Sequence, residues 1–258
     1  MWVHHVRWHP RLLQAISGAT RVVSIVRDPA QRFASAWQWY EHEKNVGMDL
    51  PTFARTYPDD SHGVLSSPAA AWSHLRGTFP AFRYRSGLDA TTEELTGISG
   101  FRSASRHQQE EAFSALVRRV QLGQLVLLVA DRFDESLLVL GKMQNWSHRQ
   151  LLYSRLKTQM KPEIGADVEQ RLRELQPWDS ALFGLAKHGL DRHVASLFGS
   201  RESFDEELLQ FRQQVEETGK MCDGDEPSQK KIDREFCADL QRDNNAAVTM
   251  AWDERGHG

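Results

Sequence analysis

With 258 residues, 40% of them hydrophobic and 26% charged, the chain is long enough for one sizeable α/β domain, or for one domain with a helical appendage. Its 32 Lys and Arg stand against 35 Asp and Glu, a formal charge of -3; this excludes the broad basic field that gathers nucleic acid or anionic membrane, and any anion site must be local. No stretch reaches the roughly 18 to 20 consecutive apolar residues of a membrane span, and Met1 is not followed by a charged region leading into an apolar one.

In chain order, the first clear element is Arg21-Val22-Val23-Ser24-Ile25-Val26, a β-branched run that predicts a buried parallel strand. It stops at Arg27-Asp28-Pro29. Pro29 suits the first position of a helix and Asp28 its cap. Helical spacing then gathers Pro29, Phe33, Ala36, Trp37 and Tyr40 on an apolar face and sets Asp28, Arg32, Ser35 and Trp39 on the other. From about 45 to 105 the chain is rich in Gly, Pro, Ser and Asp, with Trp72, Phe79, Phe82 and Tyr84 scattered through it, which predicts a long irregular insertion carrying short helices.

A helix over about 106–122 leads through Gly123 to Leu125-Val126-Leu127-Leu128-Val129-Ala130, a second buried strand, and then to a helix over about 133–144. Helices follow at about 163–175, 178–198 and 203–218, the last strongly charged and amphipathic. The tail from Cys222 onward reads as polar and loosely ordered. The organisation expected is an α/β domain over 1–200, with the insertion at 45–105, and a C-terminal amphipathic helix and polar tail over 201–258. Two cysteines, Cys222 and Cys237, allow one bridge in an oxidising compartment and fit two reduced surface thiols equally well. Histidines such as His62, His74, His107 and His148 lack zinc-ligand spacing, and no metal is expected.

A strand that delivers Arg27 and, one helix further on, Ser35 places a permanent cation and a hydroxyl donor beside helix amides, an arrangement suited to phosphate. The same residues are also accounted for without a ligand, by Arg27 pairing with Asp28 or an acidic neighbour and Ser35 as a solvated helix residue. His4 and His5 supply an imidazole able to take a proton from a hydroxyl, and serve equally as a packed or hydrogen-bonded pair. Asp131, Asp134 and Glu135 at a helix start follow from dipole and capping preferences alone.

Arg27-Asp28-Pro29 with Ser35 and Tyr40 resembles the 3'-phosphate-binding motif of sulfotransferases that use 3'-phosphoadenosine 5'-phosphosulfate (PAPS). His4-His5-Val6-Arg7-Trp8, Phe133-Asp134-Glu135-Ser136-Leu137, Trp178-Asp179-Ser180-Ala181-Leu182-Phe183, and Lys220-Met221-Cys222 with Ile232-Asp233-Arg234-Glu235-Phe236 resemble, in order, segments of the galactose 3-O-sulfotransferase (galactosylceramide sulfotransferase) family. The resemblance implies a P-loop-containing sulfotransferase-like fold, a parallel sheet flanked by helices. It also implies PAPS as sulfuryl donor, and a galactose-terminated glycolipid or glycan as acceptor, attacked through a galactose hydroxyl. By the same resemblance Arg27 and Ser35 hold the donor's 3'-phosphate, and His5, ahead of His4, is the general base. Members of the family are Golgi membrane proteins facing the lumen; here association with a membrane would come only through an N-terminal anchor that this chain does not show.

No G-x-x-x-x-G-K-[ST] occurs in the chain, and few residues precede His4 where the family carries its first βα unit and donor-loop Lys. The expectation is a fold lacking that unit and a chain inactive, or nearly so, by itself. Two other classes stand beside this reading, a non-catalytic carbohydrate- or nucleotide-binding remnant and a P-loop kinase-like enzyme.

Overall fold

The structure, a computed structural model, describes residues 22–57, 87–153, 163–223 and 236–238. Their order is β1 (Val22–Val26), α1 (Pro29–Trp39), α2 (His42–Val46), α3 (Leu50–Thr56), α4 (Ala90–Thr96), α5 (Arg106–Gln121), β2 (Leu125–Val129), α6 (Phe133–Gln144), α7 (His148–Leu151), α8 (Ala166–Glu174), α9 (Pro177–Leu197) and α10 (Arg201–Asp223). They are mostly helical, with the two strands paired in parallel from Val22 against Leu125 to Val26 against Val129. Such a pair needs a crossover connection, supplied by the chain from α1 to α5. The chain divides into two compact units, one of residues 1–132 with 161–191 and one of 133–160 with 192–258.

In the first unit, α1 begins where the sequence places it. Pro29 sits in the first turn and the Asp28 carboxylate accepts from the Ala30 and Gln31 amides. Its buried face is Pro29, Ala30, Phe33, Ala34 and Trp37, with Ala36 and Tyr40 only half-buried; the face is rotated from the expected one because α1 packs against both α3 and α8. Phe33 stacks on Phe53 at 5.6 Å and Trp37 lies 4.8 Å from it, while Val168, Leu172 and Leu175 close the same cluster. Burying side chains of this size contributes about 1.5 to 3 kcal/mol each.

All five residues of β2 are buried, as expected. The strand β1 departs from expectation. Val23 is 42% and Ile25 48% exposed, because alternate side chains of a strand share one face and no described residue covers that face. Before β2, α5 opens on a capping box of Ser105 and Gln108. It closes with the Gly123 and Gln124 amides donating to the Val120 and Arg119 carbonyls, a turn that needs the left-handed φ of 67° at Gly123. Between residues 45 and 105 the described part does hold short helices, α3 and α4; the remainder, with Trp72, Phe79, Phe82 and Tyr84, lies outside the described residues.

In the second unit, α6 packs against α7 and α10. A Cβ at Gly141 would meet Leu151 at 2.5 Å, so the close approach of α7 rests on that glycine. Asp134 accepts from Tyr153 Oη at 2.6 Å and from Arg212 Nε at 2.9 Å, and Glu207 pairs with Lys142 at 2.9 Å. The last helix, expected over about 203–218, is longer than expected, and of the tail beyond Asp223 only 236–238 belong to the described residues. Helix α10 continues through Cys222 to Asp223, and Cys222 is bridged to Cys237.

Candidate functional site

Ligands of parallel α/β sheets gather at the carboxyl ends of the strands, where loops and helix starts converge. Here the register aligns Val26 with Val129, so Arg27-Asp28 leaves the sheet beside Ala130-Asp131. The Asp28 amide donates to Asp131 Oδ2 at 3.1 Å, tying the two strand ends together.

Asp28 is fully engaged. Its Oδ1 accepts from the Ala30 and Gln31 amides at 3.0 and 3.2 Å, its Oδ2 from Arg173 Nε at 2.9 Å, and its carbonyl from the Arg32 amide at 2.8 Å. Two consequences follow for the anion site read from sequence. The amides of the first turn of α1 are already taken, so an anion there would be held by side chains and not by the helix end. Arg27, moreover, is not paired with Asp28, whose charge goes to Arg173; half-buried, it has no hydrogen bond or ion pair among the described residues. For Arg173, burial acts to lower the pKa, but bonds and charge from Asp28 and then Glu169 outweigh it and hold the guanidinium above its ordinary value.

Ser35 is half-buried in α1, seven residues beyond its cap and so about 10 Å along the axis, on the Asp28 side of the helix. Arg32, between them on that side, is occupied: its Nη2 donates to the Gly87 carbonyl at 2.8 Å and Gln176 Oε1 at 2.9 Å, and lies 3.4 Å from Asp179 Oδ2. Gln176, wholly buried, donates in turn to the Pro29 and Leu172 carbonyls. Of the two arginines near the start of α1, Arg32 therefore anchors the helix, and Arg27 has no such partner among the described residues. His4 and His5 lie outside the described residues.

Behind Arg32 is a feature that sequence reading missed, an exchange of helix caps. Asp89 precedes α4 but accepts from the Trp178 and Asp179 amides of α9, at 3.0 and 2.9 Å, and from Arg102 at 2.8 Å. Asp179 returns the arrangement, accepting from the Thr91 and Thr92 amides of α4 and from Thr92 Oγ1. Asp89 before α4 and Pro177 at the start of α9 were readable as helix-start signals; that each helix is capped from the other, across about ninety residues, was not. The exchange fixes Gln176 and Arg32, and through them α1. Among the described residues no group of three or more His, Cys, Asp or Glu side chains could hold a metal ion.

Two buried groups give this unit opposing pH responses. Burial, and then the charge of Asp179, push Asp89 up to about 7 despite Arg102, while burial pushes His42, packed edge-on to Trp37, down to about 4. As pH falls from about 7 towards 4, Asp89 takes up a proton in the fold before it does in the unfolded chain, and its contribution to stability rises. Over the window from about 6.5 down to 4, His42 protonates only in the unfolded chain, and its contribution falls. Urea unfolding across this range is expected to show a steeper acid loss in Asp89→Asn than in the native chain and a shallower one in His42→Gln. Parallel profiles for all three would contradict the assignment.

Comparison with known proteins gives a consistent result. A family model described as Galactose-3-O-sulfotransferase matches residues 1–236. The curated relatives Galactose-3-O-sulfotransferase 3 of Bos taurus and of Homo sapiens are each 25% identical over 232 residues, covering 86% of this chain and 50% and 49% of theirs. That of Mus musculus is 24% identical over 236 residues, covering 88% of this chain and 50% of its own. The chain thus spans about half the length of the curated relatives it matches. No solved structure matches.

Proposed function

Because this chain belongs to the galactose-3-O-sulfotransferase family, we propose that it serves transfer of a sulfuryl group from PAPS to a galactose hydroxyl, at position 3, of a glycolipid or glycan. The observation that carries the donor half of this reading is Arg27, a fixed cation with no partner among the described residues at the carboxyl end of a parallel sheet, while the adjoining Asp28 is fully engaged. A phosphate at that place would accept charge-assisted bonds from the guanidinium and one from the Ser35 hydroxyl. PAPS supplies an activated sulfuryl group on a good leaving group. In the chemistry proposed, the galactose oxygen attacks sulfur in line, its proton passes to His5 or His4, and the S–O bond to adenosine 3',5'-bisphosphate breaks.

The sheet and its flanking helices support a P-loop-like sulfotransferase fold. The Cys222 to Cys237 bridge supports an oxidising compartment such as the Golgi lumen; no helix among the described residues is long and apolar enough to cross a membrane. The acceptor's galactose terminus rests on the family alone.

The test is incubation of the protein, as expressed from its natural transcript, with PAPS carrying radiolabelled sulfate and a panel of galactose-terminated glycolipids and glycans. Label on the galactose is expected. Binding of adenosine 3',5'-bisphosphate without any transfer would replace the enzyme with a nucleotide-binding protein, and phosphate transfer from ATP would place it with the kinases.

A further inference from the structure

Of the four asparagines, at 45, 145, 244 and 245, one opens an Asn-X-Ser/Thr triplet, Asn145-Trp146-Ser147. The triplet falls in the turn between α6 and α7. The Trp146 amide donates to the Gly141 carbonyl at 2.9 Å and the Asn145 amide to the Lys142 carbonyl at 3.4 Å. This is the closing pattern of a helix whose last residue, Gln144, is followed by a left-handed position. Asn145 fills that position with φ 55°, a conformation asparagine tolerates better than other non-glycine residues. Its backbone is thus satisfied while its side chain is exposed, and its carboxamide makes no hydrogen bond among the described residues. Ser147 is exposed too, its amide and hydroxyl both donating to Gln150 Oε1 at 2.9 and 3.1 Å. Trp146 between them is 37% exposed. The same compact unit contains the Cys222 to Cys237 disulfide, which forms where the chain meets an oxidising compartment, the setting in which such triplets meet the glycosylation machinery.

We propose that Asn145 carries an N-linked glycan. In the reaction Asn145 Nδ2 attacks the anomeric carbon of an oligosaccharide carried on a polyprenyl pyrophosphate. The new C–N bond forms as the C–O bond to pyrophosphate breaks, the polyprenyl pyrophosphate leaves, and the amide proton is lost to a base. Because Ser147 Oγ is engaged by Gln150 in the folded chain, modification precedes closure of this turn. Afterwards the fold accommodates the sugar without rearrangement, since nothing described packs over the Asn145 side chain, and the glycan covers the surface around Trp146. This assignment is independent of the reaction the protein performs.

The experiment expresses the full chain from its natural transcript in cells with an intact secretory pathway and compares electrophoretic mobility before and after enzymatic removal of N-glycans. Peptide mass spectrometry then reads Asn145 and the Cys222 to Cys237 bridge. One mobility step is expected, lost completely in Asn145→Gln and in Ser147→Ala and kept in Ser147→Thr, a variant that preserves the hydroxyl and guards against mere misfolding. Recovery of Asn145 as the unmodified residue, with the bridge oxidised or reduced, would overturn the proposal, as would a mobility step that persists in Asn145→Gln.

Discussion

Replacing Asp179 by Ala is expected to destabilise the first unit by about 3 to 5 kcal/mol, the usual cost of removing one partner from a buried charge network. The side chain is 3% exposed beside an Arg32 guanidinium that is itself only 17% exposed, so neither water nor another described acid replaces the lost carboxylate. The substitution also uncaps α4 at Thr91 and Thr92 and strands the Thr92 hydroxyl. Asp179→Asn keeps an acceptor for the Thr92 amide and loses the charge, and should cost less. Urea unfolding measures both. A loss below about 1 kcal/mol for the alanine variant, the size of a single exposed ion pair, would mean that the cap exchange does not hold these helices together.

Arg27→Ala is expected to do the reverse, leaving stability within about 0.5 kcal/mol of the native chain, because no described residue pairs with Arg27, while weakening adenosine 3',5'-bisphosphate binding about 10- to 100-fold. That range is the worth of one charge-assisted hydrogen-bonding group, about 1.5 to 3 kcal/mol, read as an affinity ratio. Ser35→Ala, which removes a neutral donor, should weaken binding by less, roughly 3- to 10-fold. Equal losses of stability and affinity in Arg27→Ala would make the residue part of the scaffold.

Local elements were legible in the sequence because their signals are local. Asp28-Pro29 marks the start of α1 through cap chemistry and the missing proline N–H, and the five apolar residues of β2 announce a buried strand. The motif that pointed to PAPS-using sulfotransferases needed only the order of Arg27, Ser35 and Tyr40 along the chain, and the narrower family rested on further short segments such as Phe133-Asp134-Glu135-Ser136-Leu137. What was hidden depends on partners far apart in sequence. Arg173 takes the Asp28 carboxylate across 145 residues, and this contact is what separates Arg27 from its neighbour; nothing about Arg173 within its own helix distinguishes it from Arg171. The division of labour between Arg27 and Arg32 was likewise unreadable, since it rests on Gln176 and Asp179 arriving from beyond β2. Exposure of Val23 and Ile25 escaped notice because a β-branched run reports strand propensity and not which faces are covered. At Cys222 and Asp223 the polar composition suggested the start of a loose tail, whereas α10 extends through both and Cys222 is bridged to Cys237.

The central claim is that Arg27 recognises the 3'-phosphate of the sulfuryl donor's nucleotide. Calorimetric titration of the native chain and of Arg27→Ala, each with adenosine 3',5'-bisphosphate and with adenosine 5'-phosphate, tests it most directly, since the two ligands differ only in that phosphate. The native chain should prefer the bisphosphate by at least about 10- to 100-fold, and the variant should lose most of that preference, keeping only the few-fold that Ser35 supplies, while binding the monophosphate as before. A preference that survives undiminished in Arg27→Ala would place the 3'-phosphate elsewhere and contradict the account.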